Sequence, residues 1–297
     1  MGKEQWEVLS TEVENPRSKS LDTMKIRDLL ILMNEEDEKV IRTVREAIPT
    51  IELAVQKVIH VLENGGRLIY AGAGTSGRMG VMDAVECVPT FSTTDEVIAI
   101  MAGGKSAFST AAEGAEDSER LAERDLAEIG LKKDDVILAV AASGRTPYCI
   151  GALKEARKRG AGCMSLACNH HAVLSQYADI AIEVDAGPEI LTGSTRLKAG
   201  TCQKLILNMI STSAMVGVGK VYNNYMVDMK ATNHKLEERA KRIVMETTQC
   251  SEKQAVLALQ DAGKSIKTAI VMLLTGVSRD EAERKIVEAK GFVNKCV

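Results

Sequence analysis

Residues 68–78 read LIYAGAGTSGR, and this stretch decides the fold. Its first four residues are apolar and contain no proline, and a glycine-rich turn follows them directly. A short buried strand that runs into such a turn is typical of a parallel sheet, whose strands are joined by crossover helices. The stretch therefore predicts an α/β fold with a glycine-serine loop after its first strand.

Five short apolar runs along the chain share this pattern, because each lacks proline and is followed closely by Gly, Ser or Asn. The runs are Leu68–Ala71, Val97–Met101, Val136–Val140, Cys163–Ala167 and Ile180–Val184. Helical stretches alternate with them. We expect a three-layer αβα sandwich built on a five-stranded parallel sheet.

Helical patterns flank the predicted sheet on both sides. Before it we expect helices over Thr23–Asn34, through Val40–Val44 and from Pro49 onward. After Thr192 we expect an apolar helix over Leu205–Met215, a charged helix over Val221–Glu246, and short helices from Ser251, Ser265 and Ser278. The expected domains are residues 1–50 as an N-terminal arm with helices, 51–248 as the ligand-binding domain, and 249–297 as a small three-helix domain.

Composition limits the class of protein. The 297 residues are 45% apolar and 27% charged, which suits a globular protein. Aromatic residues are 3% and the net charge is −3, so nucleic acid and anionic membranes are poor partners. The seven cysteines have no C-x-x-C spacing, the N-terminus is too polar for a signal peptide, and no apolar run is long enough to span a membrane. These features predict a cytoplasmic protein with reduced thiols.

Two loops of glycine and hydroxyl residues each follow a predicted strand and precede a helix. The candidate ligand residues in them are Gly74, Thr75, Ser76, Ser143, Gly144, Arg145 and Thr146. Free N–H groups and the helix dipole favour an anion at such a junction, and ligands of open parallel sheets bind at the carboxyl ends of the strands. A purely structural use of the glycines, as tight turns, stays open for each loop.

The first loop also matches the spacing of a dinucleotide-binding loop, since Gly72, Gly74 and Gly77 have the G-x-G-x-x-G pattern. That fingerprint needs an acidic residue after the second strand. The sequence there is IMAG, at residues 100–103, and holds no acid. Two hydroxyl-rich loops therefore indicate a monophosphate.

Several carboxylates are candidates for acid–base chemistry. Glu86 lies near the end of the helix after the first loop, among apolar residues, so we expect it to be partly buried with a raised pKa. Glu113, Glu116 and Asp117 are expected on one face of a helix after the second strand. For each of them a solvated surface charge is the alternative.

Longer stretches resemble a known family. LIYAGAGTSGRMGVMDAVECVPTF, EGAEDS, AASGRTPY, TGSTRLKAGTCQKLILNMIST and VDMKATNHKL are similar to the N-acetylmuramic acid 6-phosphate etherases, which carry a sugar isomerase domain. The resemblance covers nearly the whole chain. Ala141 departs from the general sugar isomerase pattern, where many members carry serine, so Ser76, Ser143 and Thr146 are expected to bind more of the phosphate.

The resemblance implies a substrate and a mechanism. The substrate is a sugar phosphate with a lactyl ether at C3, and Glu86 and Glu116 fall on the positions of the acid/base pair. Glu189, Ser194 and Lys198 are further candidates for the sugar site. The reaction needs neither cofactor nor metal, and the apolar 205–215 stretch with the N-terminal helices suggests a homodimer.

Three other functions stay open at this point. A sugar-phosphate isomerase would also use a glutamate base at C2. A non-catalytic sugar-phosphate sensor, similar to the glucokinase regulatory protein, would usually be about twice as long. A transcription regulator would need a basic DNA-binding segment, which the acidic Asn34–Glu38 does not offer.

Overall fold

A five-stranded parallel sheet organises the first part of the chain in the computed structural model, which describes residues 9–110, 112, 114–231 and 233–297. The strand order is β2-β1-β3-β4-β5. The strands are β1 Leu68–Gly72, β2 Val97–Met101, β3 Val136–Ala141, β4 Gly162–Ala167 and β5 Ile180–Glu183. The predicted sheet is confirmed, with strand ends that differ by at most one residue.

Successive side chains of the strands point to opposite faces, and helices cover both. Ile69 and Ala71 of β1 belong to a core cluster formed with helices α4 and α5, Glu119–Glu128 and Pro147–Arg159. Tyr70 points the other way, where its ring packs against Gly80 of helix α3, Gly74–Phe91. This arrangement confirms the three-layer sandwich.

The N-terminal helices differ from the prediction. α1 runs without a break over Ile26–Glu46, so the two helices expected there are one, and α2 covers Ile48–Glu63. The acidic stretch Asn34–Glu38 lies within this helix, and its Glu36 is buried, 1% exposed, on the same face as Leu32 and Val40.

After β5 the helices are α6 Lys198–Gly217, α7 His234–Thr248, α8 Glu252–Asp261, α9 Ile266–Thr275 and α10 Arg279–Glu288. The prediction of a helix over Val221–Glu246 is wrong before His234, where α7 begins. Tyr222 and Tyr225 pair in an isolated antiparallel bridge around Asn223, whose φ of 52° lies in the left-handed region. This turn is incompatible with a helix.

The three C-terminal helices begin where the sequence predicts. The hydroxyls of Ser251, Ser265 and Ser278 each accept a backbone hydrogen bond three residues on and cap α8, α9 and α10. Their apolar faces form a core with α7, which includes Ile243, Ile270 and other buried residues.

Contacts divide the chain into two compact units. The first contains the sheet and comprises the residues up to Ala84 together with Asp95–Ser211. The second comprises Val85–Thr94 and Thr212–Val297. Among the residues described, none of the helices has the length and apolar character needed to cross a membrane.

Candidate functional site

The first glycine loop is a tight connection from β1 to α3. A Cβ atom at Gly72 would lie 2.7 Å from the Gly77 nitrogen, and one at Gly77 would lie 2.7 Å from the Gly72 oxygen. These two glycines therefore allow the helix to pack on the strand end. Gly74 differs, because its φ is +52° and no atom lies within 4 Å of the space for its Cβ. Its role is conformational, at the first residue of α3.

Thr75 and Ser76 occupy the first turn of α3. Thr75 is half-buried and Ser76 is 7% exposed. Neither hydroxyl is hydrogen-bonded to another group of the described chain, so both are available to a ligand. The backbone N–H groups of a first helical turn have no partner inside the helix and favour an anion.

The second loop connects β3 to α5. Gly144 has a φ of +68°, and a Cβ there would lie 2.5 Å from the Cβ of Ala172. Its backbone accepts a hydrogen bond from the Leu174 nitrogen (2.9 Å), which ties the loop to the chain after β4. The Ser143 hydroxyl accepts from the Arg145 nitrogen at 3.3 Å. Thr146 is the N-cap of α5, but its hydroxyl makes no cap hydrogen bond.

The two loops leave the same edge of the sheet. Gly72 at the end of β1 is in register with Val140 of β3. In a sheet of order 2-1-3-4-5 the strand order reverses between β1 and β3, which are parallel, and this switch point opens a crevice where ligands of this architecture bind. The structure therefore brings Ser76 and Thr75 to the same crevice edge as Ser143 and Thr146. Two helix N-termini with four hydroxyls suit a phosphate group.

Glu116 lies in a 3-10 turn, Ala115–Asp117, and is exposed. The helix expected to carry it begins later, at Glu119, because Ser118 caps α4 by accepting from the Leu121 nitrogen. The expectation that Glu116 and Asp117 share a helix face is therefore wrong. Glu113, expected beside them, lies outside the described residues.

The turn that carries Glu116 packs against α5, the helix that follows the second loop. The Cys149 thiol is buried under the strand ends and contacts the Val140 and Ala71 oxygens at 3.4 and 3.7 Å. Burial, together with the negative charge of Glu116, raises the pKa of this thiol to about 12. Ala115, the neighbour of Glu116, packs against the same core cluster that contains Cys149.

Glu86 is exposed, so the expected partial burial is wrong. The buried residues of this part of α3 are Ala84, Cys87 and Phe91, at spacings of three and four. Glu86 falls outside that stripe, and the neighbouring Val85 and Val88 are exposed as well. Apolar neighbours in the sequence therefore did not bury the carboxylate, because helical periodicity turns it away from the core.

Glu189 organises the start of α6. It is 1% exposed, and its carboxylate accepts the backbone N–H groups of Lys198 and Ala199 at 3.0 and 2.9 Å. Burial raises the pKa of Glu189, and these two backbone donors oppose the shift. The helix start lies beside the first loop, because a Cβ at Gly200 would contact Thr75 at 3.5 Å. Ser194 is half-buried just before it.

The Lys198 ammonium is buried in a polar network that the sequence did not suggest. Its Nζ donates to Glu36 Oε2 at 2.7 Å and to the Ala186 oxygen at 3.0 Å. Asn15 donates to the same carboxylate at 3.0 Å and to the Pro188 oxygen at 3.1 Å. Lys198 therefore joins the N-terminal arm and α1 to the start of α6. A contact of Lys198, Glu189 or Ser194 with a sugar stays a prediction.

Asn169 is a residue at the ligand edge of the sheet that the sequence analysis did not select. It is 2% exposed, and its Nδ2 donates to the Ala142 oxygen (3.0 Å) and to Thr11 Oγ1 (3.2 Å). Its Oδ1 accepts from the Ser10 hydroxyl at 3.0 Å. Asn169 thereby holds the residue before Ser143. The sequence feature that could have identified Asn169 is its position directly after β4, at the edge of the sheet where ligands bind.

Among the described residues, no group of three or more His, Cys, Asp and Glu side chains is arranged to hold a metal ion. The candidate site consists of hydroxyls, helix N-termini and carboxylates.

Comparisons with known proteins agree with this architecture. Residues 50–157 match the family model of the glucokinase regulatory protein N-terminal SIS domain. The fold is similar to that of a phosphoheptose isomerase from Neisseria gonorrhoeae, with a TM-score of 0.50 and 15% identity, over 64% of this chain and 98% of that one. The fold of this part of the chain is thus of the sugar isomerase (SIS) domain class.

Curated relatives narrow the assignment within this class. The chain is 56% identical to the N-acetylmuramic acid 6-phosphate etherase of Shouchella clausii over 97% of this chain and 98% of the relative. It is 53% identical to N-acetylmuramic acid 6-phosphate etherase 2 of Lactiplantibacillus plantarum over 98% and 99%. The chain belongs to the N-acetylmuramic acid 6-phosphate etherase family.

Proposed function

We propose that this protein is a carbon–oxygen lyase that cleaves the lactyl ether of N-acetylmuramic acid 6-phosphate. The products are N-acetylglucosamine 6-phosphate and D-lactate. The observation that carries the proposal is identity of 53–56% over nearly the full length of relatives with this activity in their names. In this proposal the substrate is a cell-wall amino sugar, and the enzyme degrades it in the cytoplasm.

The 6-phosphate binds between the two glycine loops. Thr75 and Ser76 donate from the first turn of α3, and Ser143 and Thr146 donate from the second loop. Hydrogen bonds to a charged phosphate are stronger than those between neutral groups, and two helix N-termini add to the positive potential. This anchoring orients the sugar toward the β1/β3 crevice.

The chemistry is an elimination followed by addition of water. In the open-chain aldehyde the carbonyl acidifies the proton at C2, and Glu116 removes it as the base. The bond from C3 to the ether oxygen breaks, Glu86 protonates the departing lactate, and a double bond forms between C2 and C3. Glu86 then deprotonates a water molecule that adds at C3, and C2 regains a proton. Only protons move between protein and substrate, so the reaction requires no redox cofactor.

The enzyme is a homodimer in this proposal. α1 exposes Ile26, Leu30 and Ile31, which are 71%, 60% and 47% exposed. Exposed apolar side chains grouped on one helix suit contact with a second copy of the chain. Light scattering at micromolar concentration tests this, with Leu30→Glu expected to shift the protein toward monomer. A monomeric wild-type protein contradicts the dimer.

The decisive experiment incubates the protein with N-acetylmuramic acid 6-phosphate and assays lactate. In deuterated water, Glu86→Gln should retain deuterium exchange at C2 while lactate release falls by about 10² or more, the usual loss for one positioned acid/base group. Glu116→Gln should stop both. If instead Glu116→Gln keeps the exchange and Glu86→Gln loses it, the two glutamates have the opposite roles. If both variants keep nearly wild-type activity, they are not the acid/base pair. Absence of lactate with the wild-type protein rejects the etherase function itself.

A further inference from the structure

Arg78 makes an unusual connection between α3 and the segment that leads to Glu116. It lies in the first loop motif, two residues after Ser76. Its Nε donates to the Phe108 oxygen at 2.9 Å, and its Nη2 donates to the Ala107 oxygen at 2.9 Å. The guanidinium thus holds two consecutive carbonyls of the segment between β2 and α4. An arginine directly after a phosphate loop would ordinarily be assigned to the anion.

The segment held by Arg78 folds around Gly103. A Cβ at this glycine would lie 3.0 Å from the Ala107 Cβ, 2.5 Å from the Ala112 Cβ and 3.6 Å from the Ala115 Cβ. Its φ of +87° is also unfavourable for other residues. The three alanines therefore close over one glycine, and Ala107 is 1% exposed. Because Ala115 directly precedes Glu116, the position of Ala107 bears on the position of the carboxylate.

The other end of the segment is anchored by the backbone. A Cβ at Gly151 of α5 would lie 2.5 Å from the Glu119 oxygen and 2.6 Å from the Glu119 Cα. The start of α4 is thus packed directly on α5. Glu116 lies between this anchor and the carbonyls that Arg78 holds. Arg78 supplies the side-chain anchor on the β2 side of the turn.

We infer that Arg78 is a positioning residue for Glu116, and that it acts through the Ala107–Phe108 backbone rather than as a ligand of the phosphate. The inference rests on the proposed function, in which Glu116 is the base at C2. Arginine suits this role because its planar fork can donate to two neighbouring acceptors at once in a fixed geometry. Lysine, with a flexible point charge, keeps the charge but not the fork.

Arg78→Gln and Arg78→Lys test the inference, with Arg124→Gln as control because the Arg124 side chain is 72% exposed on α4. In Arg78→Gln, kcat and C2 exchange should fall about 10- to 100-fold, the scale for a catalytic group displaced by about 1 Å. The Kd of N-acetylglucosamine 6-phosphate should change less than about threefold, since no phosphate contact is lost. Arg78→Lys should be intermediate, and the control should match wild type.

Hydrogen–deuterium exchange of the amides in 105–110 and 114–118 provides a readout that needs no etherase activity. It should speed up in Arg78→Gln and stay unchanged in the control, while far-UV circular dichroism verifies that both variants fold. Gly103→Ala, which perturbs the same segment from its other side, should likewise lower kcat without raising the Kd. If Arg78→Gln misfolds, the same measurements on Arg78→Lys and Gly103→Ala test the inference.

Two results overturn the inference. A Kd that rises more than tenfold with kcat preserved makes Arg78 an anion ligand, as expected for loss of a charge-assisted hydrogen bond. Wild-type kcat and amide exchange in Arg78→Gln remove any positioning role. A failure of the proposed function looks different, since then Glu116→Gln keeps C2 exchange or the wild-type protein releases no lactate.

Discussion

The buried pair of Glu36 and Lys198 provides a quantitative prediction. Both side chains are nearly inaccessible, at 1% and 2% exposure, and their charged atoms are 2.7 Å apart. Burial by itself would raise the pKa of Glu36, but hydrogen bonds from Lys198 and Lys39 and the Lys198 charge lower it from 4.5 to about 2. A shift of that size corresponds to about 3 kcal/mol of preference for the ionised form in the folded protein.

Lys198→Met should destabilise the fold by about 2–4 kcal/mol at neutral pH, because it leaves the Glu36 carboxylate buried without its main cation. Lys39 and Asn15 still donate to the carboxylate, at 2.8 and 3.0 Å, and keep the loss below that of a fully unpaired charge. The double variant Glu36→Leu with Lys198→Met should recover most of the lost stability, since apolar groups can replace a buried pair with little cost.

Urea unfolding followed by circular dichroism measures these differences. The pH dependence has a defined sign. Because the pKa of Glu36 is lowered from 4.5 to about 2, its stabilisation is complete above pH 4.5 and disappears as the pH falls toward 2. In Lys198→Met the pKa of Glu36 should lie much closer to 4.5 or above it, so this acid-dependent loss should shrink or disappear. The structural role would be refuted if Lys198→Met lost less than about 1 kcal/mol of stability but bound substrate more weakly. That result would favour a ligand contact by Lys198.

Three further outcomes are expected. Unphosphorylated N-acetylmuramic acid should be cleaved at least about 10²-fold less efficiently than the 6-phosphate, because two or more charge-assisted hydrogen bonds are lost; comparable turnover contradicts the phosphate site. Lactate release should survive a chelator, since the reaction needs only proton transfers, and a loss that one divalent ion restores contradicts this. Gly144→Ala should lower the free energy of unfolding by about 1–3 kcal/mol, which is more than Gly74→Ala should. Both glycines have a positive φ, but only Gly144 lacks space for a Cβ. Equal losses in urea unfolding would show that backbone strain alone matters.

The sequence alone determined the architecture. Five short apolar runs, each followed by a turn, correspond to the five strands, and Ser251, Ser265 and Ser278 mark three helix starts. These features are local, because hydrophobic periodicity and capping involve residues that are neighbours in the chain. The two hydroxyl loops could also be assigned to one edge of the sheet from the sequence. Each follows a predicted strand, and the carboxyl ends of parallel strands lie at the same edge.

Only the tertiary structure decided which polar groups meet. Glu36 lies in a stretch that looks like a solvated acidic surface, and its cation is 162 residues away in the chain. Arg78 donates to carbonyls about thirty residues away, and the turn that carries Glu116 replaces the expected helix. Residue type defines what a polar side chain can bond, but its partner depends on which loops the fold brings together. Burial adds a free-energy cost for any such group that has no partner.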